Sequence, residues 1–451
     1  MKNVNSIGRR TSSFPLYNDR KLVITITVLI ALMVTDISLI RVYDVINKQF
    51  ISLQMKEIFF TIISMACLVT EFAVLKLIKP PVGEKSRRTS NLILRYKITE
   101  AAQYIIAAIL VLAVLQILFF SYYSTMVLLA VILCSYTLSI GILSLFISRI
   151  LALLLIKRKA IFMFLFILAL GCITINAAIA MVDVSLRLGD RSSETRALFG
   201  GSVDLSKGKY NIIDDFYFIS YILSFVTAWI ATATLLGNYS RRLGKAKYSL
   251  ITISPMVFFI GQFIVFFTND ISSIFKIDQF FLASLATVIT TLSKPLGGLM
   301  LGIGFWSMAK VATRRTALNT YLIISGFGFF LLFTSNQAIL LSIAPYPPFG
   351  IATITVMGLS GYLIVLGIYM STISLSHDSE LRRSIRHVAT TQSKLFDSMV
   401  SVEIEKEIEQ RVMEVIKQRS VQMEKDTGVE PSLGDQEAMD YLKQVIDEIK
   451  R

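Results

Sequence analysis

Histidine is nearly absent. The chain of 451 residues has 2, His377 and His387, and both lie beyond its last long apolar run. No imidazole is therefore available inside the apolar part, which excludes a histidine-ligated haem or copper centre there. Cysteine is scarce as well. Cys67, Cys134 and Cys172 sit singly in three separate apolar runs, with no CxxC spacing. That spacing argues against thiolate metal sites and a disulfide framework. Charge is also low, at 17% of residues against 54% hydrophobic. Soluble domains carry about 25% charged residues. The apolar excess is gathered into long runs, the pattern of a polytopic membrane protein.

A helical span needs about 20 mostly apolar residues to cross about 30 Å of hydrocarbon. Ten runs meet this, over 22–40, 58–78, 98–120, 124–147, 160–182, 216–237, 249–267, 279–308, 316–334 and 350–375. The expected fold is all-α: a ten-span helix bundle over 22–375 with a cytosolic amphipathic, coiled-coil-like tail. Residues 1–21 form a basic cytosolic segment, and the first run reads as a retained anchor. Orientation follows from the lysines and arginines in the loops. With the N-terminus inside, the inner segments before the tail hold 23 and the outer loops 9. Both termini are therefore expected on the cytosolic side of the plasma membrane. The net charge of +14 divides into +18 over 1–375 and −4 over 376–451. It marks membrane topology and anionic lipid headgroups rather than a nucleic-acid surface.

One outer loop, 183–215, is long and mixes charges with glycine and serine. Loops of that length are functional or disordered. The segment Pro345-Tyr346-Pro347-Pro348 stiffens the last outer turn.

Charged groups at bilayer depth are rare and mark function or ion pairing. Glu100 sits at a span boundary and reads as interfacial. Asp36, Glu71 and Lys294 lie deeper. Lys294 is the sharpest of them, near the middle of a 30-residue run and followed by Pro295, Gly297 and Gly298. Proline removes a helix hydrogen bond and the glycines ease unwinding, so a kink or short break is expected there. The ammonium would then either pair with Glu71 or Asp36 or bind an anionic ligand. Gly298 and Gly302, and Gly358 and Gly361, read as close helix packing within the molecule rather than a dimer seam.

The tail carries a heptad seam, Leu381, Ile385, Val388, Gln392, Leu395, Met399 and Val402, within a helix over 376–426. A breaker over 427–436 precedes a short amphipathic helix over 437–451, with Met439, Leu442 and Val445 on its apolar face. Such a seam needs a second copy, a fold-back or a cytosolic protein partner. Ser376-His377-Asp378 followed by Leu381-Arg382-Arg383 imitates a phosphoacceptor box, but no ATP-binding segment follows. No catalytic motif, metal set or cofactor fingerprint is present.

The tail stretch 375–412, LSHDSELRRSIRHVATTQSKLFDSMVSVEIEKEIEQRV, resembles the tails of uncharacterised multispan membrane proteins of ammonia-oxidising archaea. The resemblance implies a plasma-membrane setting and no activity, cofactor or site residues.

Three functions fit these features. The first is a sensor or signalling-coupling protein that passes an event at the outer loop or near Lys294 to the helical tail. The second is a secondary transporter of a small anionic solute using Lys294. The third is an accessory scaffold subunit. The transporter reading lacks paired broken helices, because the third run, the counterpart of the eighth under an inverted repeat, has neither glycine nor proline.

Overall fold

A computed structural model describes residues 19–45, 53–79, 87–156, 161–189, 211–237, 244–261, 279–311, 317–337, 341 and 346–371, with isolated residues between 413 and 445. Among these residues the regular structure is helical. The helices are α1 (Asp19–Val45), α2 (Leu53–Leu77), α3 (Arg87–Phe120), α4 (Thr125–Ile156), α5 (Ile161–Gly189) and α6 (Asn211–Gly237). They continue with α7 (Lys245–Gly261), α8 (Gln279–Val311) and α9 (Ala317–Ser335), and α10 (Ile351–Ser371). Seven of them, α1 to α6 and α10, carry stretches long and apolar enough to cross a membrane. The chain is a helical bundle of multi-pass character.

The helices are built to hold themselves in an apolar solvent. Their hydroxyl side chains bond to their own backbone, since hydrocarbon offers no other partner. Thr25, Thr70, Thr174, Thr232 and Thr334 each donate to the carbonyl four residues earlier at 2.6–2.8 Å. The two tryptophans tie neighbouring helices. Trp229 Nε1 donates to the Thr252 carbonyl at 2.7 Å, and Trp306 Nε1 donates to the Ile323 carbonyl at 3.3 Å.

Chain neighbours pack together from α1 to α9, and α1 returns against α8 and α9. The outer faces stay apolar, with Val69, Phe119, Ile212 and Leu250 each about two-thirds exposed or more. That is how helices present themselves to lipid tails. α10 is the exception. Its span is 100% buried, against 39–50% for the other six. Glycines set its distance from its neighbours. A Cβ on Gly358 would strike Leu138 and one on Gly361 would meet Ser139 Oγ at 3.0 Å, both on α4; Gly367 abuts Tyr321 and Ser325 of α9. Gly298 and Gly302 of α8 press on Phe330, Phe333 and Gly326 of α9. All of these glycines serve contacts inside one chain.

Several boundaries differ from the apolar runs. α3 begins eleven residues before its run, carrying Arg87, Arg88, Arg95 and Lys97 on its first turns. α5 continues to Gly189 and α6 starts at Asn211, so both ends of the long outer loop are helical and 190–210 lies outside the described residues. A hydropathy run ends where charge begins, whereas a backbone hydrogen-bond ladder does not. Of the kink or short break expected at Pro295, Gly297 and Gly298, the break is not present. α8 is one helix over all 33 residues. A single missing backbone bond costs less than exposing several unsatisfied groups to hydrocarbon.

The heptad seam Leu381, Ile385, Val388, Leu395, Met399 and Val402 lies outside the described residues. Of the closing helix, Ala438, Leu442 and Val445 are buried while Asp440 and Gln444 are exposed.

Candidate functional site

Lys294 lies at the centre of α8, where α8 is wedged between two helices. Gly297 and Gly304 face Phe225 and Thr232 of α6, and the opposite side meets α9. The lysine side chain turns to the α6 side and is half-buried. Its Nζ donates to the Tyr217 hydroxyl at 3.0 Å. It stands 4.6 Å from the ring centroid of Tyr221 and 5.5 Å from that of Tyr217. The two tyrosines are one turn apart on α6 and stack at 6.5 Å. Phe259 of α7 closes the aromatic wall, 5.9 Å from Tyr221 and 4.4 Å from Phe225. Ring faces attract a cation, most strongly where water is thin. Among the described residues, the ammonium has no carboxylate partner.

From this lysine a line of polar groups, buried from Asn176 onward, crosses the bundle. Tyr217, whose hydroxyl accepts the lysine's hydrogen bond, also accepts at its backbone carbonyl from Asn176 Nδ2 at 3.3 Å. The same amide donates to Ser220 Oγ at 2.9 Å. The Asn176 carbonyl oxygen then accepts from Asn336 Nδ2 at 2.8 Å. Tyr136 finally donates its hydroxyl to Asn336 Oδ1 at 2.8 Å. Four helices, α8, α6, α5 and α4, and the segment just past α9 take part. Asn336 lies just past α9, on the link that leads into α10.

Two turns along α5 from Asn176, an ionic lock joins α5 to α6. Arg187 Nε donates to Asp183 Oδ1 at 2.8 Å, and its other arm reaches Asp214. Asp183 is fully buried, whereas Asp214 is 45% exposed. The second oxygen of Asp183, Oδ2, has no hydrogen-bond partner.

Asp36 and Glu71 are not at the lysine. The structure places both against α10. Asp36 accepts from the Gly350 amide at 2.8 Å, the Thr353 amide at 3.0 Å and the Thr353 hydroxyl at 2.9 Å. It is a helix cap supplied by another helix, set where the α10 dipole is positive. Glu71 accepts from Gln103 Nε2 and from the Thr355 hydroxyl at 3.3 Å. Gln103 also donates to the Thr355 carbonyl at 3.1 Å. Ahead of α10, Tyr346 donates to Glu57 Oε1 at 2.7 Å and stacks on Tyr123. Burial first, and then the Glu57 carboxylate, push the Tyr346 phenol well above its usual range, so it stays a donor. Three acidic side chains thus hold the central helix at its start. Of the two alternatives for Lys294, the pair with Asp36 or Glu71 is not formed. Asp36 and Glu71 spend their lone pairs on α10 instead.

No family model, curated protein or solved structure matches the chain significantly.

Among the described residues, no group of three His, Cys, Asp or Glu side chains is placed to hold a metal ion. The site's chemistry is that of recognition: one cation, ring faces, a phenol and amides. Of its members, only Lys294 stands out by charge in an apolar run. Asn176 had a readable signal, as the one asparagine deep inside a predicted span. Tyr217, Tyr136 and Asn336 had none, because tyrosines and loop asparagines are common. Arg187 and Asp214 were visible only as loop charges.

Proposed function

We propose that this protein is a ten-span sensor of the plasma membrane, with both termini cytosolic, that binds a small anionic solute at Lys294. The event passes to the cytosolic helical tail through α10, which runs in the chain into that tail. The supporting observation is the polar line from half-buried Lys294 and Tyr217 through buried Asn176 to Asn336, at the α9–α10 link. A ligand that draws the lysine from the Tyr217 phenol changes the hydrogen bonding of α6. That change is shared with α5 and with the segment preceding α10. An element with two arrangements that both sites bias is what coupling requires.

A cation held by rings and a phenol is ready to exchange its partner for an anion at little loss. The first test measures thermal stabilisation of the purified full chain by phosphate, sulfate, acetate and succinate. At least one anion raises the melting temperature of the wild type, and Lys294→Met loses that response. Equal responses in both proteins refute a site at Lys294.

The same cation serves a transporter of small anions. Deleting 381–451 separates the two readings. Loss of the tail leaves uptake intact in a transporter and abolishes output in a sensor. An unbroken α8 favours the sensor, since solute pathways in transporters commonly run past discontinuous helices. As a scaffold, the chain would respond to no anion at all.

A further inference from the structure

A groove of about 520 Å³ lies where the start of α1 meets the end of α2. Lys21, Ile24 and Thr25 line it from α1, and Lys76, Leu77 and Lys79 line it from the other side. The spacing explains the meeting. Lys21, Ile24 and Thr25 share one face of α1 at three- and four-residue intervals. Lys76 lies in the last turn of α2, and Lys79 follows it by one turn. α1 and α2 pack against each other, so the three lysines converge on one opening. All three are exposed, and among the described residues no carboxylate lines the groove. Ile24, 63% exposed, and Val28, 47% exposed and one turn further, continue an apolar track from it along α1.

From this geometry we infer that the groove is a binding site for an anionic membrane lipid, with the phosphate among Lys21, Lys76 and Lys79. The acyl chain follows Ile24 and Val28. Three like charges facing one opening repel each other, and a phosphate relieves that repulsion. A water-soluble anion would use the lysines and leave the apolar track bare. A lipid uses both, and basic pockets between spanning helices are suited to phosphorylated headgroups. The site lies on α1 and α2, apart from Lys294, and does not depend on the sensor reading.

The test uses the purified full chain in detergent and native mass spectrometry, with phosphatidylglycerol and phosphatidylcholine as probes. Phosphatidylglycerol adducts should persist at collision energies that strip phosphatidylcholine. The triple variant Lys21→Gln, Lys76→Gln, Lys79→Gln should weaken phosphatidylglycerol binding by about tenfold or more. A control triple variant, Lys245→Gln, Lys247→Gln, Lys310→Gln, removes three other exposed lysines from the corresponding helix ends and should bind as the wild type does. All six positions are exposed, so folding is not at stake, and matching melting temperatures check this. Equal losses in both triple variants would mean a diffuse basic surface and overturn the site. Displacement of the lipid by inorganic phosphate, with phosphate itself retained, would overturn the lipid assignment.

Discussion

At the scale of single residues, the buried charges divide by what they touch. Asp36 receives three hydrogen bonds from the start of α10. Asp36→Ala leaves two backbone amides without an acceptor and should lower stability by about 1–3 kcal/mol. Chemical denaturation in detergent measures it, and an unchanged midpoint would deny the cap. Lys294 has the opposite character. It neutralises no carboxylate among the described residues, so Lys294→Met should leave the melting temperature near that of the wild type while removing the anion response. A large loss of stability in Lys294→Met would indicate that the ammonium is a structural tie. The lysine was legible in the sequence because a charge in an apolar run is conspicuous. Its partner was not, because pairing depends on which helices become neighbours. A charge count puts Lys294 with Glu71 or Asp36, whereas packing gives those two to α10.

At the scale of elements, the α5–α6 lock distinguishes two acids on one arginine. Asp183 is buried and Asp214 is 45% exposed. Arg187→Gln strands the buried acid and should cost about 3 kcal/mol. Asp214→Asn removes a partner that water can replace, and its effect should stay within about 1 kcal/mol. Thermal melts of the two variants check the order, and equal effects would contradict it. Close helix packing gives a second case. A Cβ at Gly302 would sit 2.9 Å from the Gly326 carbonyl oxygen. Gly302→Ala should therefore destabilise the α8–α9 pair by about 1–3 kcal/mol, read as an earlier denaturation midpoint. The helices themselves were readable from hydropathy, and each of the ten apolar runs overlaps a helix. Their ends were not, as α3, α5 and α6 show. Polar turns keep their backbone ladder beyond the membrane boundary. Whether Pro295 would break its helix was not readable for a related reason, since sequence shows the missing donor but not the neighbours that hold the helix together.

At the scale of the molecule, α10 organises the bundle. It is enclosed over its whole length, held at its start by Asp36, Glu57 and Glu71, and linked to α9 beside Asn336. Hydropathy over 350–375 does not separate a central helix from a peripheral one, because lipid and protein interior are equally apolar, and only Gly358 and Gly361 hinted at close packing there. The proposed ten-span topology puts residues 12 and 434 on one side of the membrane. Cysteines introduced as Ser12→Cys and Gly434→Cys should both react only with a membrane-permeant maleimide in intact cells. Labelling of one of them by an impermeant reagent would remove the even number of crossings. The central claim is that Lys294 and the tail are coupled through Asn176 and Asn336. The most direct measurement places a spin label at Met399→Cys in the purified chain and follows its mobility as a stabilising anion is added. The anion should change the spectrum in the wild-type background. In Asn176→Leu it should still raise the melting temperature but leave the spectrum unchanged. An identical spectral response in both backgrounds would contradict the coupling.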